Sequence, residues 1–317
     1  MSQYAAVHDW DALAGPGDSR PTASRIIQNF AAEGALASKV ILITGVSSGI
    51  GAATATALAR TGATIVGAGR SVSKAKAALS GIADYPHLHL LELDLTRSAS
   101  IDKFAAEFLE RFSGQLNILI NNAGGVLASH ALDEDGHERQ FSMNYLGHFR
   151  LFSLLKDALL SSATAASPSR VINDDYVAFD SYCQSKTAMV YMASEIERRH
   201  GPENLHAWSL QPGAVLASSF LQNSGWDQAT QDAMLQNWPA KYFKSNEQGA
   251  ATQVWAAVSA DVLRESARGK YLEDVAVSVP AADTKFPDIL GYEKHTYDEK
   301  RAKELWSFTE ELLGVKA

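Results

Sequence analysis

Tyr182 and Lys186 stand four residues apart in Tyr182-Cys183-Gln184-Ser185-Lys186. On a helix that step puts both side chains on one face. A neighbouring ammonium favours the phenolate and lowers the tyrosine pKa from its reference of about 10, as a general acid/base near neutral pH requires. A second group suits a phosphate. In Thr44-Gly45-Val46-Ser47-Ser48-Gly49-Ile50-Gly51 the glycines follow an apolar run and open an Ala-rich stretch. Glycine permits a tight turn and close approach of backbone to a pyrophosphate, whose charge a helix N-terminus favours. A third group, Asn121-Asn122-Ala123-Gly124, also follows an apolar run. A glycine turn or a Tyr-Lys pair alone is common in purely structural settings; all three in this order are not.

These residues need a scaffold, and the chain between them alternates in type. Val40-Ile41-Leu42-Ile43 predicts a strand buried on both faces. Gly51 to Arg60 predicts a helix closed by Gly62, and Thr64-Ile65-Val66 a second strand. Leu88 to Leu95 predicts a third strand and Leu116 to Ile120 a fourth. Between them Ile101, Phe104, Phe108 and Phe112 recur at helical spacing. Arg139 to Leu160 predicts one long helix, and Arg170-Val171-Ile172 a fifth strand. The alternation predicts an α/β fold, a doubly wound parallel sheet with helices on both faces and ligand turns at the carboxyl ends of the strands. Residues 1–38, with Gly15-Pro16-Gly17, form a lead-in to a single domain over 39–317, and Ser161 to Ser169 a surface loop.

A formal net charge of −8, without a basic run, argues against a nucleic-acid binder. The only cysteine is Cys183, so neither an intrachain disulfide nor a cysteine metal site is expected. The histidines are scattered, and no metal site is predicted. Met1 to Leu13 carries His8, Asp9 and Asp11 around no apolar core, unlike a secretory signal. No apolar stretch reaches the roughly 18 residues of a membrane span. A cytoplasmic protein is the expectation.

The motifs together resemble the short-chain dehydrogenase/reductase family over nearly the whole chain. The resemblance is nearest to its retinol-dehydrogenase-like and WW-domain-oxidoreductase-like branch, widespread in fungi. Ile43 to Gly51, Asn144-Tyr145-Leu146-Gly147-His148-Phe149, Glu195 to Gly201, Gln211-Pro212-Gly213 and Gly269-Lys270-Tyr271-Leu272-Glu273 carry it. It implies a Rossmann fold and a nicotinamide dinucleotide. Gly45, Gly49 and Gly51 would line the pyrophosphate, in a turn with Thr44, Ser47, Ser48 and Ile50. Asp94, with Leu95, would meet the adenine, and Asn121, Ala123 and Gly124 the ribose beside the nicotinamide. Tyr182 would be the general acid/base, Lys186 would tune it and hold that ribose, and Asn144 would anchor a proton relay. Pro212 and Gly213 would pass beside the nicotinamide. The resemblance also implies a homo-oligomer and a helical lid over a small-molecule substrate, at about 216–245. That segment carries Phe220, Trp226, Met234, Leu235, Trp238, Tyr242 and Phe243, which suit a bulky hydrophobic substrate or, equally, the packed faces of two amphipathic helices.

The end of the second strand, Ile65 to Arg70, holds no acidic residue for a ribose 2′-hydroxyl. Arg70 suits a 2′-phosphate, which favours NADP(H) over NAD(H).

The pattern breaks in two places. The family's catalytic serine, usually about a dozen residues before the tyrosine, has no counterpart: Arg170 to Asp180 contains no serine. Ser169 precedes the strand, at the wrong end of it, and Ser181 adjoins the tyrosine. After Pro212-Gly213 the family's threonine is replaced by Ala217, with Ser218 and Ser219 nearby. Losing one donor at a developing oxyanion slows such a reaction by ~10²–10³ without abolishing it. The leading reading is an NADP(H)-dependent oxidoreductase for a hydrophobic alcohol or ketone, with specialised metabolism as a candidate setting and Tyr176 or a protonated Asp175 as replacement donor. Two others stay open: a non-redox isomerase, cyclase or dehydratase, and a non-catalytic dinucleotide-binding protein.

Overall fold

The structure, a computed structural model, describes residues 3–127, 129–174, 180–215, 227–236, 239–287 and 289–317. Among these the strands are β1 (Val40–Thr44), β2 (Thr64–Gly69), β3 (Leu88–Glu92), β4 (Ile118–Asn121), β5 (Ser169–Asp174), β6 (Leu205–Leu210), β7 (Tyr271–Glu273) and β8 (Ala276–Val277). They form one sheet in the order β3-β2-β1-β4-β5-β6-β7-β8. Neighbours from β3 to β7 are parallel; β8 closes the edge antiparallel to β7. The helices are α1 (Ala23–Asn29), α2 (Gly49–Ala59), α3 (Val72–Ala78), α4 (Ser98–Arg111), α5 (Gly147–Ser162), α6 (Asp180–His200), α7 (Gln228–Gln236), α8 (Ala251–Val258) and α9 (Glu299–Leu313), with shorter turns between.

Successive strand residues point to opposite faces, so each strand feeds two cores. Leu42, Val66, Leu119 and Val171 pack on Phe104 and Phe108 of α4, Phe149 and Phe152 of α5, Met189 of α6 and Trp306 of α9. Ile41, Ile43, Ile65, Ile120 and Ile172 pack on Ile26 and Ile27 of α1, Leu58 of α2 and Val254 of α8. Burial on both faces explains why the strands read as continuous apolar runs. Because β2 and β4 flank β1, the connections diverge there, which makes the carboxyl ends of β1 and β4 the edge of the sheet where a ligand crevice is expected. No helix among the described residues is long and apolar enough to cross a membrane.

Two expected elements differ. The third strand stops at Glu92, because the Asp94 side chain accepts from Thr96 N (3.0 Å) and Thr96 Oγ1 (2.8 Å) and turns the chain. The single helix expected over Arg139–Leu160 is a short turn (Arg139–Phe141), a π-helical stretch (Ser142–Leu146) and α5. That widened turn carries Asn144, and π-turns recur at functional sites.

Candidate active site

The turn after β4 seats directly against the turn after β1. A Cβ on Gly45 would lie 2.8 Å from Ala123 Cα, and one on Gly51 would lie 2.4 Å from Gly45 O and 2.5 Å from Asn122 Nδ2. Asn122 Nδ2 donates to Thr44 O at 2.8 Å, and Ala123 N donates to Thr44 Oγ1 at 2.9 Å. Gly45 and Gly51 are therefore demanded by protein packing, and Ser47, Ser48, Gly49 and Ile50 form the half-buried part of the turn, at the start of α2. Asn122, expected within the motif to border the ribose, is the lock between the two turns.

On α6, Tyr182 and Lys186 are both buried, with Lys186 Nζ 5.5 Å from the Tyr182 ring centroid. Gly124 brings the β4 turn to them: its Cβ position lies 3.1 Å from Lys186 Nζ and 3.2 Å from Asn144 Oδ1. Asn144 is fully buried and held at every side-chain atom. Its Nδ2 donates to Gly125 O (3.1 Å) and Ser185 Oγ (3.0 Å), and its Oδ1 accepts from Gly125 N (3.0 Å). Ser185 Oγ in turn donates to Tyr182 O at 2.7 Å.

His148, one helical turn beyond Asn144, extends this network. Its Nδ1 donates to Asn144 O (3.0 Å), which leaves Nε2 to accept from Thr44 Oγ1 (3.0 Å). One neutral imidazole thus joins the acid/base group to the glycine turn. Burial, opposed by the bond to Asn144 O and aided by the charge of Lys186, pushes His148 down to about 4 from an ordinary 6.5. The unfolded chain takes up a proton below pH 6.5 that the folded chain refuses until about 4, so this stability is intact above 6.5 and is lost as pH falls through that window. Between pH 7 and pH 4.5, urea unfolding should show the native protein losing about 2–3 kcal/mol more than a His148→Asn variant. Equal losses would assign acid sensitivity to other groups.

The remaining predicted residues fall at the carboxyl edge of the sheet with different exposures. Arg70 is exposed just past β2 and makes no hydrogen bond or ion pair among the described residues. Asp94 is half-buried past β3, one oxygen taken by Thr96, and Leu95 is buried where α5 begins, 2.3 Å from the Cβ position of Gly147. Pro212 and Gly213 are buried just past β6. The Asn121 side chain faces inward: it is 1% exposed and its Nδ2 donates to Asn173 Oδ1 at 2.9 Å. What that turn offers the crevice is Ala123 and Gly124.

Ser169 opens β5, paired with Leu205 at the start of β6, at the far end from the crevice. Asp175, Tyr176, Ala217, Ser218, Ser219, Phe220, Trp226 and Trp238 lie outside the described residues. Tyr242 and Phe243 are buried with Leu13 and Ala214, which makes them packing residues. Asp133, Asp135 and His137 bring possible metal ligands within 4.8 Å of one another. The Asp133 carboxylate is already engaged by Asp135 N, His137 N and Ser142 Oγ, so the cluster reads as a hydrogen-bonded turn.

Comparison with known proteins agrees with this geometry. The short chain dehydrogenase family profile matches residues 39–228. A short-chain dehydrogenase/reductase of Penicillium rubens, prx1, is 38% identical over 95% of this chain and 92% of its own. Human retinol dehydrogenase 13 is 33% identical over 88% and 86%. Among solved structures, the NADP complex of RhlG from Pseudomonas aeruginosa shares the fold, with a TM-score of 0.64 at 23% identity over 76% of this chain and 96% of that one. The chain belongs to the short-chain dehydrogenase family, whose members bind a nicotinamide dinucleotide.

Proposed function

We propose that the chain is an NADP(H)-dependent oxidoreductase interconverting a ketone and an alcohol on a bulky hydrophobic small molecule. The convergence of Lys186, Asn144 and Gly124 beside Tyr182, at the crevice edge of the sheet, carries this reading. The nicotinamide, when bound, supplies or accepts the hydride. Tyr182 gives its phenolic proton to the carbonyl oxygen in the reducing direction and takes it back in the oxidising one. Lys186 stabilises the phenolate and would hold the nicotinamide ribose; Gly124, whose Cβ would lie 3.1 Å from Lys186 Nζ, leaves the ammonium room. Asn144, held by Gly125 and Ser185, keeps the π-helical turn in register with both. Thr44 to Gly51 hold the diphosphate side, Ala123 and Gly124 border the ribose beside the nicotinamide, and Asp94 with Leu95 meets the adenine. In the same reading 39–317 is the dinucleotide-binding domain, onto which the 1–38 segment packs through Ile26 and Ile27, about 216–245 covers the substrate, and the protein is cytoplasmic and homo-oligomeric.

Arg70 supports NADP(H). It is exposed just past β2, has no partner among the described residues, and has no carboxylate near it in the Thr64–Arg70 stretch, which suits a 2′-phosphate. Arg70→Ala should weaken NADPH binding about 10–100-fold, the loss of one charged hydrogen-bonding group, and leave NADH binding nearly unchanged. The experiment that tests the reading is a titration of the native protein with NADPH and NADH, followed by tryptophan fluorescence. Saturable binding that favours NADPH supports it; binding of neither removes it.

The absence of serine from Arg170–Asp180 favours a second reading, a non-redox isomerase, cyclase or dehydratase using Tyr182 and Lys186. Product formed without change in nicotinamide absorbance would select it.

A further inference from the structure

The Gln211-Pro212-Gly213 turn is held on one side by Glu273 and on the other by Lys244, itself paired with Asp274. Gln211 Nε2 donates to Glu273 Oε2 (2.6 Å), and Glu273 also accepts from Ser278 Oγ and Gly291 N. Beneath the turn, Lys244 Nζ donates to Pro212 O (3.1 Å) and Asp274 Oδ1 (2.6 Å), while Lys244 N donates to Ala214 O (2.8 Å). Lys244 is 3% exposed, and a Cβ on Gly213 would lie 2.8 Å from its Nζ. Burial opposes ionisation of Asp274, but Lys244, His8 and Arg20 outweigh it and hold its carboxyl below the usual range.

Lys244 is itself fixed by the N-terminal segment. Arg20, also 3% exposed, donates to three consecutive carbonyls just before Lys244: Lys241 O (3.3 Å), Tyr242 O (2.9 Å) and Phe243 O (2.6 Å). It donates as well to Gly15 O (3.2 Å) and Asp18 Oδ1 (2.9 Å). Gln248 binds the same segment at Gly17 N and Asp18 Oδ1 (2.9 Å each). Leu13 packs on Ala214, Tyr242 and Phe243, and Lys241 Nζ donates to Trp10 O (2.8 Å). A buried ion pair adds little net stability over apolar packing, but it does set position. Here one buried cation holds the turn, and a second holds the segment that carries the first.

We propose that Lys244 and Arg20 are positioning residues that set the Pro212–Gly213 turn against the nicotinamide end of the bound dinucleotide. This rests on the dinucleotide reading above. The turn follows β6, on the other side of the switch point from β2 and Arg70, so the adenosine half lies away from it. Loosening the brace therefore weakens contacts at the nicotinamide end and spares the adenosine end.

The test compares NADPH with adenosine 2′,5′-bisphosphate, which lacks the nicotinamide half, on the full chain. Lys244→Met alone would strand Asp274, so it is paired with Asp274→Asn; asparagine suits the left-handed φ of 50° at 274. Arg20→Met is the second variant. Both should weaken NADPH binding about tenfold, as loss of a buried charged hydrogen bond does, with bisphosphate affinity within about twofold of native. Equal weakening of both ligands would mean general damage to the fold, and unchanged NADPH binding would mean no brace; either overturns the proposal. A native protein that binds bisphosphate and NADPH while both variants bind them equally well sinks this inference alone. Native protein that binds neither NADPH nor NADH removes the functional reading, and this one with it.

Discussion

Tyr182→Phe lowers the turnover of a carbonyl substrate by about 10²–10⁴-fold, measured as loss of NADPH absorbance, while the Kd for NADPH stays within about twofold. The substitution removes one hydroxyl and keeps the ring. At 3% exposure the packing around that ring is conserved, so the fold should survive. Lys186 stays in place, 5.5 Å from the ring centroid and with its ammonium still beside Gly124. Only the group that gives and takes the proton is gone. Undiminished turnover in this variant would strip Tyr182 of its role in the redox and non-redox readings alike. A parallel fall in NADPH affinity would instead mark the hydroxyl as part of the binding surface.

Gly51→Ala should be as damaging, by another route. The added methyl would stand 2.4 Å from Gly45 O and 2.5 Å from Asn122 Nδ2. Neither can yield cheaply: the first is backbone in the turn, and the second is bonded to Thr44 O. Overpacking of this kind costs about 1–3 kcal/mol, and relief of the clash parts the two turns that border the dinucleotide. A lowered Tm and a fall in NADPH affinity of about 10²-fold are expected. Gly69→Ala is the control for stability, because a Cβ there meets nothing within 4 Å. Should both variants melt like the native protein, the close seating of the β1 and β4 turns would be wrong.

Much of this was legible in the chain because it depends on local periodicity. The run Val40–Ile43 announced a strand, and the observed Val40–Thr44 confirms it, since a strand covered on both faces has no polar side to show. The order of the motifs likewise announced a parallel sheet with its ligand turns on one edge. Family resemblance then attached roles to particular residues that spacing alone left open.

What stayed hidden depends on contacts between distant parts of the chain. Residues 1–38 looked like a lead-in, irregular from Gly15 to Pro21, because Arg20 meets the carbonyls of Lys241, Tyr242 and Phe243 from 221 to 223 residues away. Asn121 and Asn122 are chemically equivalent as text. The strand pairing turns one inward to Asn173 and leaves the other to lock Thr44 and Gly45. His148 gave only the weak signal of standing four residues after Asn144, and its neutral, bridging state follows from complete burial. The amino-acid order by itself determined the α/β alternation, the glycine turn and the shared face of Tyr182 and Lys186, since each is a matter of helix or strand period within a few residues. Tertiary structure decided which polar groups meet: Asn144 with Gly125 and Ser185, His148 with Thr44, Lys244 with Asp274. A buried donor must find its acceptor wherever the fold has brought one, and no local period records where that is.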